Sequence, residues 1–180
     1  MTGRFPVTDV SPTVQSGRRP AKGAIAELIP IEAKAFREGH DSLGVHAVVT
    51  SPSGRIHRYP MGAINPGLSL WRCDQWRPDE TGDWTFTIEA FHDALDTWRH
   101  RAEVKIPAGV DVILELEEGA LLFERAADHL EAHPDPTLDL GVASEYAADL
   151  LRESALALRD DRREKLQRRM DAVQQLLAAA

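Results

Sequence analysis

The sequence predicts a two-part fold: an immunoglobulin-like antiparallel β-sandwich over residues 1–108, followed by a small all-α helical bundle over 109–180. Three observations predict it. Apolar residues recur at every second position in the first half and at every third or fourth in the second. Turn residues punctuate the first half at short intervals. The charge balance also changes at the junction: residues 1–108 hold 13 Lys or Arg and 13 Asp or Glu, whereas residues 109–180 hold 8 and 16 and carry the whole net charge of −8.

In Ile31-Glu32-Ala33-Lys34-Ala35, apolar and charged residues alternate. Val45, Ala47 and Val49 share one face of the next run. Trp84, Phe86, Ile88 and Ala90 face one way while Thr85, Thr87 and Glu89 face the other. Trp98, His100, Ala102, Val104 and Ile106 alternate with Arg99, Arg101, Glu103 and Lys105 and are expected to form a further strand. A strand with one face buried and the other wet produces this pattern. Between the runs stand Ser51-Pro52-Ser53-Gly54, Asn65-Pro66-Gly67 and Pro78-Asp79-Glu80-Thr81-Gly82, all turn-forming. About seven short strands separated in this way predict a sandwich.

In the second half Ile113, Leu116, Ala120, Phe123, Ala127 and Leu130 fall on one helical face, and Pro134 and Pro136 end that helix. A second helix is expected from Leu138 to Arg159, with Leu140, Ala143, Ala147, Leu150 and Ala157 on its apolar stripe. Asp160 or Asp161 is placed to cap a third, whose seam is Leu166, Met170, Val173 and Leu177. The final Leu-Leu-Ala-Ala-Ala lies inside a helical pattern without a C-cap glycine. It is read as either a natural terminus or a boundary cut through a longer protein.

Composition removes several classes of function. Neither half has the basic excess that neutralises phosphates, so no nucleic-acid partner is expected. No apolar run reaches the length of a membrane span, and the N-terminus MTGRFPVTDV has no apolar signal core. The single cysteine, Cys73, excludes an internal disulfide and fits a reducing cytoplasm.

The search for reactive groups finds little. Cys73 shares a strand face with Trp71 and reads as a buried thiol. His129 and His133 have helical i,i+4 spacing but lack two further ligands nearby, so exposed histidines are preferred to a zinc site. Gly39-His40-Asp41 is read as a turn, with Gly39 at positive φ and Asp41 closing it through its own side chain. Glu115, Glu117 and Glu118 are read as a solvated helix face near the positive end of the helix dipole. No phosphate-binding glycine loop and no nucleophile elbow is present, so no catalytic residue, cofactor or metal is expected. Strand parity leaves Trp76 exposed. Packing at a protein or domain interface is preferred to sugar stacking for it, with Trp76 and Tyr59 the candidate platforms if a glucan binds.

Several segments, in order, resemble the start of the bacterial α-1,4-glucan:maltose-1-phosphate maltosyltransferases. They are Gly3-Arg4-Phe5-Pro6-Val7 with Asp9-Val10, Gly17 to Lys22, Phe36 to Asp41, Thr81-Gly82-Asp83-Trp84, Thr97 to His100, Lys105 to Gly109 and Leu116 to Ala120. The resemblance covers about residues 3–130. It implies membership of the α-amylase clan and transfer of maltosyl units from maltose-1-phosphate to α-1,4-glucans with retention through a covalent glycosyl-enzyme. It also implies a sandwich domain and a helical domain that brace a catalytic barrel and help build a homodimer. The barrel, with its nucleophilic and acid–base carboxylates, follows these domains in the family, so no family catalytic residue falls on a position of this sequence. The chain by itself is therefore expected to be inactive, either an assembly module or, alternatively, an accessory α-glucan-binding module.

Overall fold

A computed structural model describes residues 5–133 and 144–179. The chain forms two compact units, Met1–Asp93 and Ala94–Ala180. Among the described residues the first contains seven strands: β1 (Val7–Ser11), β2 (Ile31–Ala35), β3 (Leu43–Thr50), β4 (Ile56–Pro60), β5 (Gly62–Asn65), β6 (Leu70–Cys73) and β7 (Thr85–His92). They form two antiparallel sheets, in the orders β1-β2-β6-β5 and β4-β3-β7. The predicted immunoglobulin-like sandwich is present.

Alternation in the sequence becomes the core. Ile31, Ala33 and Ala35 of β2 and Val45, Ala47 and Val49 of β3 are buried together with Met61, Cys73 and Trp76. Phe86, Ile88 and Ala90 of β7 pack against this cluster, with Trp84 just before the strand. Thr85, Thr87 and Glu89 are exposed, as period two requires. Gly54 closes the β3–β4 turn at φ 86°, its amide donating to the Ser51 carbonyl at 2.9 Å. Asn65 caps a single turn of 3-10 helix at Pro66–Leu68, its side chain accepting from the Leu68 amide at 3.2 Å.

The second unit contains α1 (Ala94–Lys105), α2 (Val112–Ala132) and α3 (Ser144–Ala179). The run 98–106, expected as a strand, is helical as far as Lys105, and the division of the chain falls at Asp93/Ala94 rather than at residue 108. The same stretch carries both periods. Trp98, Arg101, Ala102 and Lys105 are spaced 3, 1 and 3, which is one face of a helix. Ala102 is buried and Trp98 and Arg101 half-buried, whereas His100 and Val104, which the alternation placed inward, are exposed.

The expected break at Asp160 and Asp161 is also absent. One 36-residue helix runs through both, about 54 Å at 1.5 Å per residue. No glycine or proline interrupts Ser144–Ala179, and an interior aspartate lowers helix propensity by well under 1 kcal/mol. Arg163 also pairs with Asp160 at 3.1 Å, one turn away. Ala148 and Ala155 face inward on α3, while Leu150 and Ala157 of the predicted stripe are exposed. The inward face is thus displaced by about one position. Leu140, Ala143, Pro134 and Pro136 lie outside the described residues, as do the side chains of Met170, Val173 and Leu177. On α2 the predicted face holds: Leu116, Ala120 and Ala127 are buried, and Ile113, Phe123 and Leu130 half-buried.

Candidate functional site

The sandwich carries a cleft whose walls follow from a stretch with no periodicity. Residues 12–30 contain Pro12, Gly17, Pro20, Gly23 and Pro30 and form neither helix nor strand. This arm is tied down by backbone hydrogen bonds to the segment after β6. The Ala26 amide donates to the Pro78 carbonyl at 2.8 Å, and the Ile29 amide to the Trp76 carbonyl at 3.2 Å. Arg77 donates to the Ala26 carbonyl at 2.9 Å. Between the arm and the sheet lies a cleft of about 850 Å³, walled by Pro12, Ile25, Ile29, Trp76, Trp84 and Phe86, with Arg19, Lys22 and Asp83 also lining it.

Trp76 is the main difference from the sequence expectation. It is 6% exposed, packed against Trp84 at 5.7 Å between ring centroids, and part of the sandwich core. Strand β6 stops at Cys73, so parity no longer determines where a side chain three residues later points. Its Nε1 is buried and has no hydrogen-bond partner among the described residues. The Trp84 Nε1, by contrast, donates to the Glu80 carbonyl at 3.1 Å.

Glu80, which also lines the cleft, is fixed by a polar network. Its carboxylate accepts from the Ser53 hydroxyl at 2.7 Å and from Arg55 at 3.4 Å. Those hydrogen bonds, Ser53 first, hold its carboxyl down at about 2. Arg55 also donates to both oxygens of Asp79 at 3.0 Å. The network joins the β3–β4 turn to the loop that precedes β7. Tyr59 on β4 is half-buried, its ring stacked on His57 at 6.2 Å, and burial pushes its phenol upward. Trp76 and Tyr59 are both held against the one sandwich core, Trp76 within it and Tyr59 packed on its margin.

The other sequence candidates resolve as structure. Cys73 is buried in the core and Trp71 donates its Nε1 to the Ala35 carbonyl at 3.0 Å. Gly39 adopts φ 99°, but Asp41 accepts from Arg37 at 2.8 Å instead of closing the turn on itself. His129 and His133 are exposed and stack at 4.6 Å. Among the described residues no group of three or more His, Cys, Asp or Glu side chains is arranged to hold a metal ion. Among them, too, no helix is long and apolar enough to cross a membrane.

One charged centre was not foreseen. Glu115, read from sequence as solvated, is 1% exposed. Arg101 donates to it at 2.8 Å and Lys105 lies at 3.0 Å. Arg101 also pairs with Glu118, and Lys105 with Asp111 at 3.0 Å. The signal lay in the i,i+4 spacing of Arg101 and Lys105, which a strand reading of that segment hides. These pairs cross-link α1 to α2 in a turn-connected hairpin, and the hydrogen bonds raise the affinity of both cations for their protons. The site is a structural lock, since each charge is consumed by a partner.

Comparison with known proteins matches residues 3–180 to the family described as "Alpha-1,4-glucan:maltose-1-phosphate maltosyltransferase, domain N/S". Among similar proteins, α-1,4-glucan:maltose-1-phosphate maltosyltransferase 1 of Streptomyces coelicolor is 47% identical over 136 residues, 75% of this chain and 20% of that protein. Maltosyltransferase 2 of the same organism is 41% identical over 160 residues, 88% of this chain and 22% of the relative. The Mycobacterium tuberculosis maltosyltransferase is 31% identical over 182 residues, 87% of this chain and 26% of the relative. The matched stretch thus makes up about a fifth to a quarter of each relative.

Proposed function

The chain belongs to the domain N/S family of α-1,4-glucan:maltose-1-phosphate maltosyltransferases, and from that premise we propose that it is the non-catalytic N-terminal region of such an enzyme. The whole protein would extend α-1,4-glucans with maltosyl units from maltose-1-phosphate in the cytoplasm, with chemistry performed by a barrel following these two units. The observation that carries this reading is the extent of the match. It spans both the sandwich and the helices, yet covers only about a fifth of relatives named for the complete activity. The role assigned to the sandwich is to brace the barrel, and the role assigned to the helices is homodimer assembly. Leu114 and Leu121 on α2, one heptad apart, and Leu150 and Leu156 on α3 remain exposed after the helices have paired, which supports an apolar partner surface there.

Incubating the chain with maltose-1-phosphate and a short maltooligosaccharide tests the catalytic half of the proposal. No phosphate is expected above a heat-treated control, and release above it would overturn the non-catalytic assignment. Light scattering at high micromolar concentration tests assembly: a dimer mass is expected, and a clean monomer mass counts against it. A second reading, an accessory α-glucan-binding module, is favoured by the aromatic cleft alone, whose buried Trp76 indole presents an unused donor. Affinity electrophoresis on glycogen decides it, since a glucan module must be retarded and must lose that retardation in Trp76→Ala.

A further inference from the structure

The cations of the sandwich divide into two groups. Lys34 pairs with Asp9 and Arg37 with Asp41, each at 2.8 Å. Arg55 pairs with Asp79 and Arg72 with Glu32, each at 3.0 Å. Arg58 reaches Glu89 at 3.6 Å, and Arg77 donates to the Ala26 carbonyl. Arg18, Arg19 and Lys22 are different. Among the described residues their side chains make no hydrogen bond or ion pair, although all three are described and stand close together on the exposed arm. Like charges this close repel one another, and a bound anion would relieve them.

Their placement makes them more than a solvated run. The turn that carries them is closed: the Gly17 amide donates to the Val14 carbonyl at 3.1 Å, the Arg18 amide donates to the Gln15 carbonyl at 3.2 Å, and Val14 bridges to Arg19. Arg19 and Lys22 line the cleft of about 850 Å³ from the arm, a volume in the range of small-ligand sites. The sheet side supplies Trp84 and Phe86, both half-buried. Two carboxylates of the loop before β7 also line the cleft. Glu80 is consumed by Ser53 and Arg55, whereas Asp83 is exposed and has no side-chain partner among the described residues. The cleft therefore offers free cations, an aromatic surface and a free acceptor.

We propose that this cleft binds a sugar carrying a phosphate monoester. Arg19 and Lys22 take the phosphate, Trp84 and Phe86 the C–H face of the ring, and Asp83 its hydroxyls. The guanidinium fork matches two phosphate oxygens and the lysine adds a point charge. A phosphate dianion balances both cations, whereas a carboxylate would leave one uncompensated. Aromatic side chains with a large apolar face suit the C–H side of a sugar ring. The sugar half of the assignment rests on the reading of this cleft as a glucan site and narrows it to phosphorylated units. The phosphate half rests on the unpaired cations alone.

Indole N–H resonances in nitrogen–proton correlation spectra read the site directly. Trp76 and Trp84 line the cleft, whereas Trp71 and Trp98 donate to the Ala35 and Glu115 carbonyls away from it. Glucose 6-phosphate is expected to shift the Trp76 and Trp84 signals at concentrations at least about 10-fold below those required by glucose or by inorganic phosphate. The Trp71 and Trp98 signals should stay in place. Arg19→Gln combined with Lys22→Gln should abolish that advantage and leave Tm unchanged, since both side chains are exposed. An advantage that survives the double substitution would overturn the proposal. Equal response to glucose and glucose 6-phosphate would also overturn it, and would leave the glucan reading standing. Equal response to inorganic phosphate would overturn it by striking the sugar, and the glucan reading with it. Affinity electrophoresis on phosphorylated amylopectin, before and after phosphatase treatment, separates the two sources of the ligand. Retardation that falls on treatment assigns phosphate borne on a glucan chain, and retardation that does not change assigns a free sugar phosphate.

Discussion

Gly119→Ala is a substitution whose sign the structure decides against helix propensity. Gly119 is an interior position of α2, where alanine would ordinarily stabilise by about 1 kcal/mol. A Cβ at Gly119, however, would stand 2.6 Å from Cε2 and 2.9 Å from Cη2 of Trp98, and closer still to Cζ2. The indole cannot retreat without loss, because its Nε1 donates to the Glu115 carbonyl at 2.8 Å and its edge meets Phe123 at 5.6 Å. Overpacking of this kind costs about 1–3 kcal/mol and the lost hydrogen bond about 1 more, so the net effect is a destabilisation of about 1–3 kcal/mol. In a unit of this size that lowers Tm by about 4 °C or more. Thermal melts followed by circular dichroism at 222 nm measure it. In a Trp98→Leu background the obstruction is gone, and the same Gly119→Ala change should stabilise by up to about 1 kcal/mol. A rise in Tm in the native background, or an equal loss in both backgrounds, would refute the close approach of Trp98 to α2.

The acid sensitivity of the sandwich should trace to Glu80. Its folded carboxyl is depressed to about 2 from an ordinary value of 4.5, so the stability it contributes is complete above 4.5 and lost as pH falls from there toward 2. Urea midpoints of wild type and Glu80→Gln should therefore differ at pH 7 and converge near pH 2, and a pH-independent difference would exclude the carboxylate as cause. Glu115→Ala strands Arg101 and Lys105 beside a vacated buried position and should cost the helical unit about 3–5 kcal/mol, read by urea denaturation. Trp76→Phe removes a donor that has no hydrogen-bond partner among the described residues and should stay within about 1 kcal/mol of wild type by the same method. Trp76→Ala opens a cavity in the core and should cost about 3–5 kcal/mol.

What was legible in the sequence was legible for a physical reason. Strands β2, β3 and β7 each bury one face, so Ile31, Val45 and Phe86 announce their neighbours at every second position. Trp76 was misplaced because parity holds only while a strand continues, and the chain between β6 and β7 is held instead by hydrogen bonds to the N-terminal arm. Residues 98–106 satisfy both periods, and what selects the helix is located elsewhere. Glu115, Gly119 and Phe123 on α2 receive Trp98 and the two cations, and a local reading cannot see them. The phase of α3 was hidden because its inward residues, Ala148 and Ala155, are less hydrophobic than the Leu150 and Leu156 that it leaves outside. Hydropathy marks the wrong stripe wherever close approach, not apolar bulk, selects the face.

The two units are consequently held by different forces. The sandwich encloses Ile31, Val45, Val49, Met61 and Trp76, and burial of such side chains is worth about 1.5–3 kcal/mol each. Among the described residues α3 buries only small side chains, Ala148 and Ala155, and α2 buries Ala120 and Ala127 beside Leu116; alanines contribute far less area. The register of the pair is instead written in charge. Arg152 pairs with Asp128 and Glu131, Arg159 with Glu124 and Glu117, and Arg162 with Glu117, so rising numbers on α3 meet falling numbers on α2 and the helices are antiparallel. Exposed pairs of this type are worth about 0–1 kcal/mol each and are screened by salt. They fix register and orientation more than they stabilise. Residues 94–180 hold 11 Lys or Arg against 18 Asp or Glu, so carboxylates remain in excess after every cation is matched. A helical unit with an alanine seam, surplus negative charge and exposed leucines has little stability to spare, and further apolar contact is what would add most to it.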